Sequence, residues 1–317
     1  MTDGFSKRLR QPKSPMSPQS PFRRRRSRAE RIIEAFLALA ALVGVVTTVG
    51  IIVVLAVETV EFFSRVSIVE YLTGTEWSAL IQPNRWGVIP LVVSTLMIAT
   101  IALAIGVPLG LLAGIYLAEY ASPRTRTAVK PLLELIAGIP TIVLGFFAIN
   151  FLTPNILKPL IPGIGTFSAL AAGIVVGILV TPLIASLSED AMRAVPRSLR
   201  EGAFAMGATK FEVIRRVVLP AALSGIMASV ILAMSRAVGE TMAVVLAAGT
   251  APILTFDPRD SVQTMTAFIV QISLGDTPAD SIQFKALFAV GATLFLITLG
   301  LNLLSNWFVA RFRNVYE

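Results

Sequence analysis

The chain has 317 residues, 55% of them hydrophobic and only 15% charged, with a mean hydropathy of +0.78. Soluble domains average about 25% charged residues, so the composition is that of an integral membrane protein. There is no Cys and no His, which excludes disulfides, thiolate nucleophiles, imidazole bases and the usual zinc and haem ligands; neither catalysis by this chain nor a metal or cofactor is expected.

Residues 1–34 are rich in Pro, Ser and Arg, with four consecutive arginines at 23–26, and read as a disordered basic tail that holds topology and touches anionic headgroups. A twin-arginine signal is a poor alternative, because the apolar run that follows is too long for one. A membrane-spanning helix needs about 20 apolar residues. Six stretches meet that length: 35–57, 88–118, 135–157, 159–188, 217–256 and 286–310. The expected fold is an all-α membrane protein of six transmembrane helices, since lipid leaves no other way to satisfy the backbone. Segment 58–87 is an external connection carrying Glu58, Glu61, Glu70 and Glu76, with Trp77 and Trp86 placed like interfacial anchors.

The second stretch carries Gly106, Gly110 and Gly114 at four-residue spacing, and Gly173 and Gly177 repeat the pattern in the fourth. Such a smooth face admits a close backbone, either within the subunit or from a second subunit. Pro108, Pro140 and Pro182 invite kinks. No internal repeat is evident, so the inverted repeats of many secondary transporters are unsupported.

Of the 27 Lys and Arg, 21 fall on one side of these spans and five on the other, with Arg236 inside the fifth. The rich side comprises the N-terminal tail, residues 124–130, the 189–220 connection and the C-terminal segment 311–317. The positive-inside rule therefore puts both termini in the cytoplasm, and the net charge of +8 reports orientation, not a nucleic-acid partner.

Arg236 and Glu240 are the charges of an otherwise apolar fifth stretch. Four residues apart on one helix face, they can pair, and Arg236 would lie roughly 22 Å along a helix entering near Ala221. Charges at that depth are costly and commonly face a water-filled path. An Arg there could attract an anion whose field Glu240 modulates; a structural ion pair is the alternative.

The 189–220 connection is the other charged feature. Ser188, Glu189 and Asp190 can cap a short helix, and Pro196 can open another. Ala203, Phe204, Gly207, Phe211 and Ile214 recur at helical spacing, giving an amphipathic helix interrupted at Gly207. It either lies in the lipid interface or enters a groove of a cytoplasmic protein.

Glu201-Gly202-Ala203, then Gly207 after three residues, then Val217-x-Leu219-Pro220 after nine more, closely resembles the EAA motif of ABC importer permeases. The resemblance extends over residues 88–310. Residues 195–201, 206–210 and 135–147 resemble the phosphate-importer (Pst) branch, and residues 236–244 resemble its PstC-type subunit. It implies the type I importer permease (MetI-like) fold, with 189–220 as a coupling loop in which Glu201, Gly202, Ala203, Phe204, Gly207, Leu219 and Pro220 engage an ATPase. It also implies that Arg236 and Glu240 line phosphate passage. The implied partners are a PstA-like permease, two copies of a PstB-like ATP-binding subunit, an external PstS-like phosphate-binding protein and the bilayer. The chain has no G-x-x-x-x-G-K-[ST] loop, because Ala208 and Thr209 follow the suitably spaced Gly202 and Gly207. Hydrolysis therefore falls to another chain. A molybdate or sulfate permease, the PstA-like sister and an ion-coupled carrier or channel are the rival readings.

Overall fold

The computed structural model describes residues 28–312. Helix α1 (Arg28–Phe63) has no proline; residues 35–57 are Ile, Leu, Val, Ala and Phe interrupted only by Gly and Thr, and the apolar side chains of residues 32–53 are exposed on every face. A helix apolar all round is built for lipid.

A second compact unit begins at Val54. After α1 come α2 (Ile68–Thr73) and a small hairpin of β1 (Trp77–Ser78) and β2 (Arg85–Trp86), antiparallel with Trp77 opposite Trp86. Helix α3 (Ile89–Ile115) ends in a π-helical turn, Tyr116–Tyr120, and α4 (Pro123–Ala137) follows. Helix α5 (Thr141–Phe147) continues as a π-helical stretch, Ala148–Leu157, into α6 (Lys158–Leu160). Then come α7 (Ala169–Arg193), α8 (Arg197–Ala205) and α9 (Lys210–Val213), the last joined by a π-turn, Ile214–Val218, to α10 (Leu219–Val238). Helices α11 (Met242–Ala248), α12 (Met265–Leu274) and α13 (Ile282–Phe312) complete the described chain.

Among the described residues, six helical segments are long and apolar enough to cross a membrane: Ile32–Phe63, Ile89–Tyr120, Thr141–Leu160, Ala169–Arg193, Lys210–Val238 and Ile282–Trp307. Six spans match the sequence reading, but several boundaries move, three of them for evident local reasons. The third span begins after Gly138, Ile139 and Pro140, because Gly138 caps α4 and the pre-proline residue disfavours helix. The fourth starts at Ala169, not 159, because a turn through Pro162 and Gly163 intervenes and the Ser168 hydroxyl caps α7 by accepting from the Ala171 N–H. The fifth stops at Val238, where Gly239 caps α10; residues 239–256 do not continue it.

Helix α7 is the centre of the unit, with 61% of its apolar window buried against 28% for the α3 span. The two helices meet along the predicted glycine face. A Cβ on Gly106 would lie 2.7 Å from Val180 and 3.0 Å from the Gly177 carbonyl oxygen; one on Gly110 would lie 2.7 Å from Ile184. A Cβ on Gly173 would lie 2.5 Å from Ile101, and one on Gly177 3.0 Å from the Ala102 carbonyl oxygen and 3.1 Å from Ile105. The seam therefore lies inside the subunit, resolving the alternative left open by the spacing.

At one end of this unit Phe62, Phe63, Tyr71, Trp77, Trp86 and Phe268 pack edge to face, with Trp77 and Phe268 centroids 4.9 Å apart. Trp77 and Trp86 are buried in this aromatic end, so they are core residues and not the interfacial anchors expected. Tyr71 donates to or accepts from Thr293 across 2.8 Å, and burial raises its hydroxyl pKa above the ordinary value. The opposite, basic end gathers Met192, Val195, Ala203, Val213 and Val218 beneath α8.

Candidate functional site

The first site is the break between α10 and α11. Gly239 N–H donates to the Ser235 carbonyl at 3.1 Å, ending α10, and Glu240 turns inward. The buried Glu240 carboxylate accepts from the Ala243 N–H at 3.4 Å, and its carbonyl accepts from the Thr266 hydroxyl at 2.9 Å. Arg236 stays on the last turn of α10 and is exposed on this chain. Among the described residues no ion pair joins Arg236 to Glu240. The same-face pairing expected at i, i+4 requires a continuous helix, and the helix ends between them. Instead the break separates an inward carboxylate from an outward guanidinium. Helix α11 is held closely against α5, where a Cβ on Gly145 would meet Leu246 at 2.8 Å.

Residues 249–264, beyond α11, are irregular. The carbonyls of Pro258 and Asp260 accept the N–H groups of Leu170 and Ala169 at 2.7 and 3.0 Å. They thereby supply partners for the free donors at the start of α7. In the same loop, hydrogen bonds from the Arg259 side chain and backbone hold the Asp257 carboxyl at about 2.

The second site is the basic end. Helix α7 runs on to Arg193, so Ser188, Glu189 and Asp190 extend it and do not cap a new helix. Pro196 does open α8, and α8 ends in a turn at Gly207, whose φ of +86° belongs to the left-handed region that glycine occupies at little cost. Thr209 and Glu212 then form a capping box, starting a helix that runs through α9 and α10 without a gap. Pro220 has no N–H to donate, and just before it the ladder slips to a π-turn in which the Leu219 N–H reaches the Ile214 carbonyl.

Two buried acids anchor this end. Glu189, 1% exposed, binds Lys130 at 2.7 Å and lies 3.4 Å from Arg193 and 3.8 Å from Arg126. Lys130 also donates to Asp190 at 2.6 Å. Burial opposes the Lys130 charge, but the hydrogen bonds to Asp190 and Glu189 prevail and hold its pKa above the ordinary lysine value. Glu119, in the π-turn after α3, lies 3.1 Å from Arg200 of α8.

Residues 106–314 match the family model described as binding-protein-dependent transport system inner membrane component. The chain belongs to that family of permeases. It is similar to the probable ABC transporter permease protein YqgH of Bacillus subtilis, 34% identical over 78% of this chain and 79% of the relative. It is likewise similar to the phosphate transport system permease protein PstC 1 of Mycobacterium tuberculosis, 34% identical over 78% of this chain and 83% of that protein. Among solved structures, a chain of a bacterial ABC transporter that imports alginate aligns over 91% of this chain and 100% of its own, with a TM-score of 0.60 and 15% identity. The permease is thus a multi-pass inner-membrane subunit of an ABC transporter with the type I (MetI-like) fold.

Within the permease, the residues of the EAA-like motif divide between anchoring and display. Ala203 is buried under α8 and Leu219 is half-buried, whereas Glu201, Gly202 and Pro220 are exposed. Phe204 is 49% exposed, Met206 86% and Phe211 63%, so the turn around Gly207 presents apolar side chains within a segment that also exposes Arg197, Lys210, Arg215 and Arg216. The sequence reading missed Glu119 and Glu189 as site residues. In sequence each shows only as a carboxylate near the end of an apolar span, because its nearest cation lies about 60 to 80 residues away.

Proposed function

We propose that this chain is the PstC-like permease subunit of an ATP-driven phosphate importer and forms half of the phosphate pathway. Arg236 and Glu240 line that pathway, the guanidinium attracting the anion and the inward carboxylate holding the α10–α11 break. The observation that carries this is the interruption of the fifth span between two charges that apolar surroundings would otherwise exclude. A helix interrupted inside the membrane, with charged groups at the gap, is where transporters bind ions and anions. The named relatives support phosphate as the anion.

The exposed turn of α8 around Gly207 seats a separate ATP-hydrolysing subunit, with Glu201, Gly202, Ala203, Phe204, Gly207, Leu219 and Pro220 forming or supporting the contact. A PstA-like permease completes the pathway, two ATPase copies serve the two permeases, and an external phosphate-binding protein delivers substrate. Both termini are cytoplasmic. Closure of the ATPase pair moves α8, and the bundle switches between two packings.

Substrate identity is tested in proteoliposomes containing the complete transporter and its binding protein. ATP-dependent uptake of labelled phosphate should be competed by unlabelled phosphate and not by sulfate or molybdate at equal concentration. Preferential competition by sulfate or molybdate, or uptake persisting without the ATPase, would falsify the phosphate-importer reading.

A further inference from the structure

Glu119 is the only charged residue between Ile89 and Tyr120. Its carboxylate is 8% exposed, and the Arg200 guanidinium at 3.1 Å is the cation beside it. Arg200 uses a second nitrogen to donate to the Met192 carbonyl at 2.6 Å, near the end of α7. One guanidinium therefore ties α8 to both helices of the glycine seam. After the Gly207 turn the chain grips the same place again, where the Lys210 ammonium lies 4.6 Å from the centre of the Tyr120 ring. The far side of this junction is equally close, since a Cβ on Gly114 would lie 3.0 Å from the Ala185 carbonyl oxygen.

The pair is not arranged for maximal strength. Glu119 Oε1 and Arg200 Nε are both buried without a hydrogen bond, although the charges are in contact. Buried pairs of this kind add little net stability, because desolvation offsets the attraction; their better-attested use is to fix register. Here the register fixed is that of α8 against the α3–α7 seam.

We propose that Glu119 is a positioning residue for coupled transport, acting through Arg200 to lock α8 to the ends of α3 and α7 so that displacement of α8 moves that helix pair. This rests on the reading that α8 receives the ATPase. Arg200 is the hinge pin and Glu119 the anchor on α3, while the Lys210–Tyr120 contact keeps the chain aligned beyond the turn.

The test measures phosphate taken up per ATP hydrolysed by the complete transporter in proteoliposomes, together with the melting temperature of the complex. Glu119→Gln should assemble and hydrolyse ATP while the uptake ratio falls about fivefold, and Arg200→Gln should do the same. Because the two act through each other, Glu119→Gln/Arg200→Gln should be no more than about twofold worse than either single variant. A purely structural role would lower the melting temperature and leave the ratio unchanged. If Glu119→Gln fails to assemble, Glu119→Asp carries the test: it keeps the charge, shortens the reach by one methylene, and should lower the ratio about twofold. The proposal is overturned if the ratio is unchanged in the Glu119 variants while Gly207→Val uncouples, or if the losses multiply in the double variant. If Gly207→Val and Glu119→Gln both transport normally, the ATPase-seating reading falls with it.

Discussion

The α3–α7 seam and the α10–α11 break treat the membrane interior in opposite ways. At the seam, glycines let two backbones touch, and side chains such as Val180 and Ile184 lie within 2.7 Å of where a Cβ would be. At the break, an apolar helix stops at Gly239 and turns a carboxylate inward while leaving a guanidinium outside. At the seam a single added methyl group at Gly106 or Gly110 would meet neighbouring atoms at 2.7 Å. The break keeps polar groups where lipid would reject them, which is justified only if water, an anion or a partner reaches them. On the proposed function, the seam supplies rigidity and the break supplies the path of the anion.

The largest effect is expected from attacking the seam. Gly110→Val would place atoms inside the contact with Ile184 and the Thr181 carbonyl, which lies 2.9 Å from the position of a Cβ. Overpacking of this kind costs about 1–3 kcal/mol, more where backbone is struck. The variant should accumulate poorly and melt well below wild type; an unaltered melting temperature would show that the seam yields.

Next is the turn that presents α8. Gly207 has φ +86° with open space around it, so Gly207→Val is penalised by backbone conformation alone, at about 1–3 kcal/mol. The complex should melt a few degrees below wild type at most, while uptake per ATP drops severalfold. Normal coupling in this variant would remove α8 from the mechanism.

Glu189→Gln should act more weakly. It removes the carboxylate shared by Lys130, Arg126 and Arg193 and leaves a buried amide, at a cost of about 1–3 kcal/mol. A lowered melting temperature with an unchanged uptake ratio is expected. A changed ratio would mean that α4 belongs to the moving parts.

The smallest effect belongs to the exposed Asp257–Arg259 pair. Asp257 titrates at about 2, below its ordinary range, so any stability from the pair is present above the ordinary carboxylate pKa and is lost only as pH falls toward 2. Wild type and Asp257→Asn should therefore show the same relative uptake from about pH 5 to pH 8. A divergence within that window would implicate the loop in substrate entry.

The six spans, the glycine seam and the interruption at Gly207 were legible because each has a local signal. The spans show as apolar length, the seam as four-residue glycine spacing, and the interruption as a glycine between amphipathic turns. The end of α10 was not legible, since Gly239, Glu240 and Thr241 sit inside a stretch that hydropathy reads as one helix. Only tertiary partners, such as the Thr266 hydroxyl on the Glu240 carbonyl, reveal the break. Glu119 was missed for a similar reason. Its partner Arg200 is 81 residues away in sequence, and helical spacing carries no information about such a contact.

The central claim is that a charge at the α10–α11 break is needed for anion passage and not for the bundle. Arg236→Gln tests it most directly, with uptake of labelled phosphate measured in proteoliposomes beside the melting temperature and subunit composition of the complex. The expected result is a fully assembled transporter of unaltered melting temperature whose ATP-dependent phosphate uptake is abolished. Wild-type uptake in that variant, or loss of uptake only because the complex no longer assembles, would contradict the account.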